Sequence, residues 1–232
     1  MFQRPPIPLY RKAPLWRRLL WPGLAILLVV MVVLAVWAWL VFQGAQSPFT
    51  SDVRLLQRTV GHAKLRVPAN LIRVPNQRQS GNANRLDLAV LWPGGRGFSE
   101  DVAAAFNATH ARRQVVRIGI SERRIEQDMN ARYEPIYRQK VADTTVPGPG
   151  DLILQPFEIG HGFDGEVLAR SRSQPLWVAR CDEPSDDPLA ICLRDFHTEP
   201  GLEVTYTFPV AMLGEWRSIE TMVRDVVDRL KR

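Results

Sequence analysis

The densest set of groups able to do chemistry lies in one stretch, Glu158-Ile159-Gly160-His161-Gly162-Phe163-Asp164-Gly165-Glu166. An imidazole among carboxylates is the material of general acid–base work or of a divalent-metal site. This spacing matches no motif with a known mechanism, and glycine-flanked polar residues are usual in surface turns. The reading adopted is that the chain holds no catalytic set. His161, Asp164 and Glu166 are the candidates under the alternative, an envelope hydrolase. No cofactor and no metal site is expected, and His62, His110 and His197 are isolated from any pairing that spacing supports.

The turn Pro93-Gly94-Gly95-Arg96-Gly97 invites a phosphate-binding reading. Only Gly95-Arg96-Gly97 matches the dinucleotide fingerprint, because Glu100 stands where the third glycine belongs. Glu100 and Asp101 would also repel an anion at a following helix start. A plain turn is expected, with Ser99 as the cap of a helix running to about Thr109.

Two cysteines, Cys181 and Cys192, flank the turn-rich link Glu183-Pro184-Ser185-Asp186-Asp187-Pro188. Leu176–Arg180 and Leu189–Ile191 read as strands on either side, so a hairpin would bring the sulfurs together. A metal site wants further ligands and a redox couple wants Cys-x-x-Cys. A structural disulfide is the expectation.

The compartment that permits such a bond is set at the N-terminus. No charged residue occurs from Leu19 to Ser51, and Leu24 to Val36 is unbroken apolar sequence. Arg4, Arg11, Lys12, Arg17 and Arg18 precede it. A helix of roughly 20 apolar residues crosses a bilayer core, and basic flanks stay in the cytoplasm. The expected layout is a basic cytoplasmic tail over 1–18, a transmembrane anchor over 19–43 in contact with the lipid bilayer, a juxtamembrane linker over 44–61, and an extracytoplasmic domain over 62–232. The span holds no ionisable residue, which argues for tethering rather than transport. The 26 arginines against 4 lysines are read as the codon bias of a GC-rich bacterial genome, which makes the outer compartment a periplasm and the membrane the inner one.

Overall net charge is +6, but five basic residues belong to the tail. The rest is polarised: residues 53–124 carry 13 basic and 4 acidic side chains, and residues 125–232 carry 12 and 19. Halves of one domain can neutralise each other, and no aromatic-interleaved basic motif suggests nucleic acid.

The elements that must position these groups read as α+β, a mainly antiparallel sheet with two or three packed helices behind the anchor. Residues 51–60 are expected as a short amphipathic helix with Val53, Leu56 and Val60 on one side. Leu65–Val67 and Leu71–Val74 are β-prone. Leu86–Trp92 reads as an inner strand because it is mostly apolar. Val115–Ile120, Leu152–Leu154, Val167–Ala169 and Leu202–Phe208 follow, with a mixed stretch over 122–140 broken at Pro135. Leu213, Trp216, Ile219, Val223, Val226 and Leu230 form the stripe of a C-terminal helix, supported by Glu220–Arg224, Asp225–Arg229 and Asp228–Arg232 four apart. The functional expectation is a tethered accessory module that binds another envelope protein.

Overall fold

The computed structural model describes residues 15–45, 48–108, 114–184, 187 and 189–231, and within the first helix the side chains of residues 24–39. Residues 1–14 of the expected tail, together with Thr109, His110 and Arg232, lie outside the described residues. The chain divides into two compact units, Met1–Ser47 and Pro48–Arg232. The first is helix α1, Leu15–Ala45. The sixteen side chains described there, from Leu24 to Trp39, are all exposed. Among the described residues no helix is long and apolar enough to cross a membrane.

The second unit is α+β. It opens on a hairpin of β1 (Leu55–Val60) and β2 (Ala63–Pro68) turning at Gly61, whose φ of +55° suits glycine. The helix expected over 51–60 is thus corrected to a strand. Leu56 and Val60 satisfy a helical spacing, but Leu56, Arg58 and Val60 also alternate. That second period prevails because β2 offers Val67, Leu65 and Ala63 directly opposite. Arg58 is buried among them, with its guanidinium donating to the Gln79 and Asn82 carbonyls.

The stretch expected as a strand at Leu71–Val74 is instead flanked by two 3-10 turns, Ala69–Leu71 and Pro75–Gln77, with only Ile72 bridging Leu88. β3 (Gly81–Ala83) runs parallel to β1, completing a three-stranded sheet. β4 (Arg85–Leu91) follows. After the glycine turn, a 3-10 turn over Glu100–Val102 leads into the short α2 (Ala103–Asn107). Ser99 occupies the cap position without capping by its side chain, and its hydroxyl bonds Asp101 instead. β5 spans Val115–Glu122, and a π-helical turn, Tyr133–Tyr137, contains Pro135. Then come β6 (Val146–Pro147), β7 (Leu152–Pro156), β8 (Glu166–Ser171), β9 (Val178–Asp182), β10 (Ile191–Thr198), β11 (Leu202–Pro209) and α3 (Trp216–Leu230).

The larger sheet has the order β4-β5-β11-β10-β9-β8-β7-β6, with every pairing antiparallel. β4, expected inside, is therefore an edge strand. Its apolar run reflects burial of both faces: Leu86, Leu88 and Val90 on one, Ala89 on the other. Its outer edge is occupied as well, since Arg73 N–H donates to the Asp87 carbonyl and the Gln77 side chain accepts from Asp87 N–H. On one face α3 packs Trp216, Ile219, Val223, Val226 and Leu230 into a core with Ile118, Val204, Phe208 and the hairpin residues Leu65 and Val67. Each such side chain contributes roughly 1.5–3 kcal/mol by leaving water. On the other face Met129, Tyr137 and Phe157 cover Leu168 and Val178, and Phe49, Phe98 and Phe106 cover Ala89 and Val115.

The sheet is barely continuous at its middle. β9 and β10 pair only at Cys181↔Cys192 and Arg180↔Leu193. Beyond that the strands part, and side chains replace the ladder. Arg194 Nη1 donates to the Val178 carbonyl and to Asn130 Oδ1, both at 2.8 Å. Asn130 Oδ1 also accepts Val178 N–H at 3.0 Å.

Candidate functional site

The stretch around His161 forms the loop between β7 and β8, and its groups are committed separately. Glu166, on β8, takes a two-pronged ion pair from Arg180 of β9, at 2.6 and 2.7 Å. Asp164 Oδ1 accepts the Gly160 N–H at 2.7 Å, which closes the loop on itself. Gly160, Gly162 and Gly165 all have positive φ, so the glycines serve the turn. His161 Nε2 lies 3.3 Å from Glu158 Oε2 on the surface. His161 therefore meets Glu158, while Asp164 and Glu166 have other partners. Among the described residues no three metal-ligating side chains gather where an ion could be held. Cys181 and Cys192, by contrast, stand directly opposite in β9 and β10 and are joined by a disulfide.

A buried polar cluster escaped the sequence reading. The helix-supporting pair expected between Glu220 and Arg224 exists, with Arg224 Nε donating at 2.8 Å. The carboxylate also faces inward to Arg194, whose Nε donates at 2.8 Å from a side chain only 2% exposed. Tyr206 Oη and Trp177 Nε1 donate to the same oxygen. Burial alone would raise the Glu220 pKa, but the Arg194 charge and the bonds from Arg194 and Tyr206 outweigh it and hold the group at about 2. Burial and the Glu220 charge push the Tyr206 phenol up. With every lone pair engaged, this cluster braces α3 against the sheet.

One open recess of the unit lies elsewhere. A groove of about 520 Å³ is lined by Leu55 and Arg66 of the hairpin, Pro68, Asn70, Leu71, the turn Gly94–Gly97, and Val226, Arg229 and Leu230 of α3. Its exposed lining is chiefly apolar. The turn is held close. Asn70 exchanges two hydrogen bonds with Phe98, its carbonyl accepting Phe98 N–H and its Nδ2 donating to the Phe98 carbonyl, both at 3.0 Å. A Cβ on Gly97 would stand 2.8 Å from the Asn70 carbonyl oxygen. One on Gly95, at φ +64°, would stand 2.7 Å from Val226. These glycines thus permit close packing of the turn on Asn70 and α3. No local pattern in the sequence marks this recess, whose walls come from three separate segments.

No family model matches the sequence, and no curated protein matches it. Among solved structures, the chain is similar to Smlt3025, an immunity protein of the Stenotrophomonas maltophilia type IV secretion system. The identity is 16%, covering 78% of this chain and 94% of that one, with a TM-score of 0.52. It also aligns with the Neisseria meningitidis iron-regulated outer membrane lipoprotein FrpD at 13% identity, over 78% of this chain and 96% of that one, with a TM-score of 0.43. At such identity, the likeness to the immunity protein is one of fold.

Proposed function

We propose that this chain is a membrane-anchored, non-catalytic module whose folded unit engages another envelope protein on the outer side of the inner membrane. The observation that carries the binding role is the groove, where exposed Leu55 and the arginines Arg66, Arg96 and Arg229 surround a floor formed by the core residues Leu71, Val226 and Leu230. An apolar recess with a few polar groups at its edge is the form of a binding site. A fold shared with an immunity protein of a secretion system supports the same reading. Anchoring is supported by the charge-free sequence from Leu19 to Ser51 and by the bare apolar surface of α1. The disulfide agrees with an oxidising compartment.

Topology is checked with a reporter fused at the C-terminus, expected to be active only in a form that works after export. Cytoplasmic activity would overturn the anchored, outward-facing arrangement. The binding role is checked with two substitutions in the full chain, purified from membranes with whatever accompanies it. Leu55 is 54% exposed on the groove rim, so Leu55→Asp should leave the fold intact and reduce recovery of the partner. His161→Ala removes an exposed loop side chain, should cost less than about 0.5 kcal/mol, and should leave recovery unchanged. A cellular defect confined to His161→Ala would favour a catalytic loop over a binding groove.

A further inference from the structure

We infer that the groove takes a short acidic segment of the partner protein, seated by apolar side chains; this rests on the protein-binding reading above and names its chemistry. Positive charge reaches the recess from three parts of the chain: Arg66 from β2, Arg96 from the turn after β4, and Arg229 from α3. Among the described residues Arg66 and Arg229 make no hydrogen bond or ion pair. Arg96 approaches only Asp101, at 3.8 Å with both side chains exposed, a contact of little energy.

Arg229 is the most telling of the three. Asp225 stands one turn before it, in the order that favours a helical ion pair, yet the two do not meet. Its Nη2 instead lies 3.0 Å from the place a Cβ on Gly95 would occupy. The guanidinium is thus laid over the glycine turn at the groove, where the missing side chain leaves room for it.

Leu55, Pro68, Leu71, Val226 and Leu230 form the apolar part of the lining. A simple anion would satisfy the arginines and leave Leu55, 54% exposed, in water. A purely apolar ligand would cover the floor and strand three cations beside it. Both are answered by acidic side chains interspersed with leucine- or phenylalanine-like ones. Water excluded by the floor strengthens the charge contacts at its edge. A lipid also joins an anion to an apolar chain, but it brings one phosphate, whereas cations from three segments match several carboxylates along a peptide. Opposite charge at a rim sets partner choice and association rate.

The test places a photo-crosslinking amino acid at Leu55 in the full-length chain in its own membrane. It is run with the native arginines and with Arg66→Glu combined with Arg229→Glu. The expected adduct is a partner peptide rich in Asp and Glu with apolar residues among them. Its yield should fall about tenfold in the double variant and fall with added salt. Thermal unfolding of the double variant should match the parent, because these side chains hold nothing in the fold. Should it not match, Arg96→Glu on the exposed turn and the salt series on the parent chain replace it. A peptide without acidic residues, or a yield indifferent to both charge reversal and salt, overturns the inference. So does a lipid adduct in place of a peptide. If a partner co-purifies but crosslinks nowhere near Leu55, the groove assignment fails while the binding role stands. If no protein accompanies the intact chain, the binding role itself fails.

Discussion

Glu220→Ala is expected to destabilise the folded unit by about 3–5 kcal/mol, because it strands the buried Arg194 charge rather than merely deleting a contact. For a unit of this size the melting temperature should drop on the order of 10 °C. Arg224→Ala is the control: it removes the outer partner of the same carboxylate, sits half exposed, and should cost under about 1 kcal/mol. The pH dependence separates charge from packing. The Glu220 pKa in the folded protein is depressed to about 2 from an ordinary 4.5. Its contribution is therefore complete above pH 4.5 and lost as the pH falls towards 2. The stability gap between the parent and Glu220→Gln, followed by urea unfolding from pH 6 to pH 2, should narrow over that window. A gap that stays constant to pH 2 would show that the cluster acts through shape alone.

Loss of the disulfide is the second large effect. Cys181→Ser should lower stability by about 2–3 kcal/mol for a loop closed across a separation of eleven residues. The location of the damage is the sharper test. The bond sits where β9 and β10 share just two register pairs, so opening should begin there. Amide exchange at Arg180 and Leu193 should quicken in the variant before that of Ile118 or Val204, which lie in continuous ladder. Uniform quickening across both regions would mean that the bond acts only on the unfolded chain.

Legibility in the sequence followed the range of the interactions. The α3 stripe, the cysteine hairpin and the alternation of Leu202–Phe208 are local patterns, and each gave its element. The β1 strand is not legible locally because Leu56 and Val60 fit a helix as well as a half-buried strand, and only the facing residues of β2 decide between them. β4 was misplaced because apolar residues on both faces look the same at an edge that other segments cover. Glu220 was half read: the bond to Arg224 is four residues away, whereas those to Arg194 and Tyr206 come from other strands. The groove had no local signature at all. Its walls come from residues 55–71, 94–97 and 226–230, and its arginines acquire meaning only when those segments meet.

The coverage of the sheet ends has a consequence for solubility at high concentration. An exposed strand with a row of unused backbone donors and acceptors is a template on which further copies can stack. Here β4 already has its outer backbone engaged by Arg73 and Gln77. At the other end β6 is two residues long, and one of them is Pro147, which has no N–H to offer. In the small sheet, β3 is three residues long and β2 turns Lys64 and Arg66 outward. Backbone pairing between crowded copies is therefore disfavoured at the edges of both sheets.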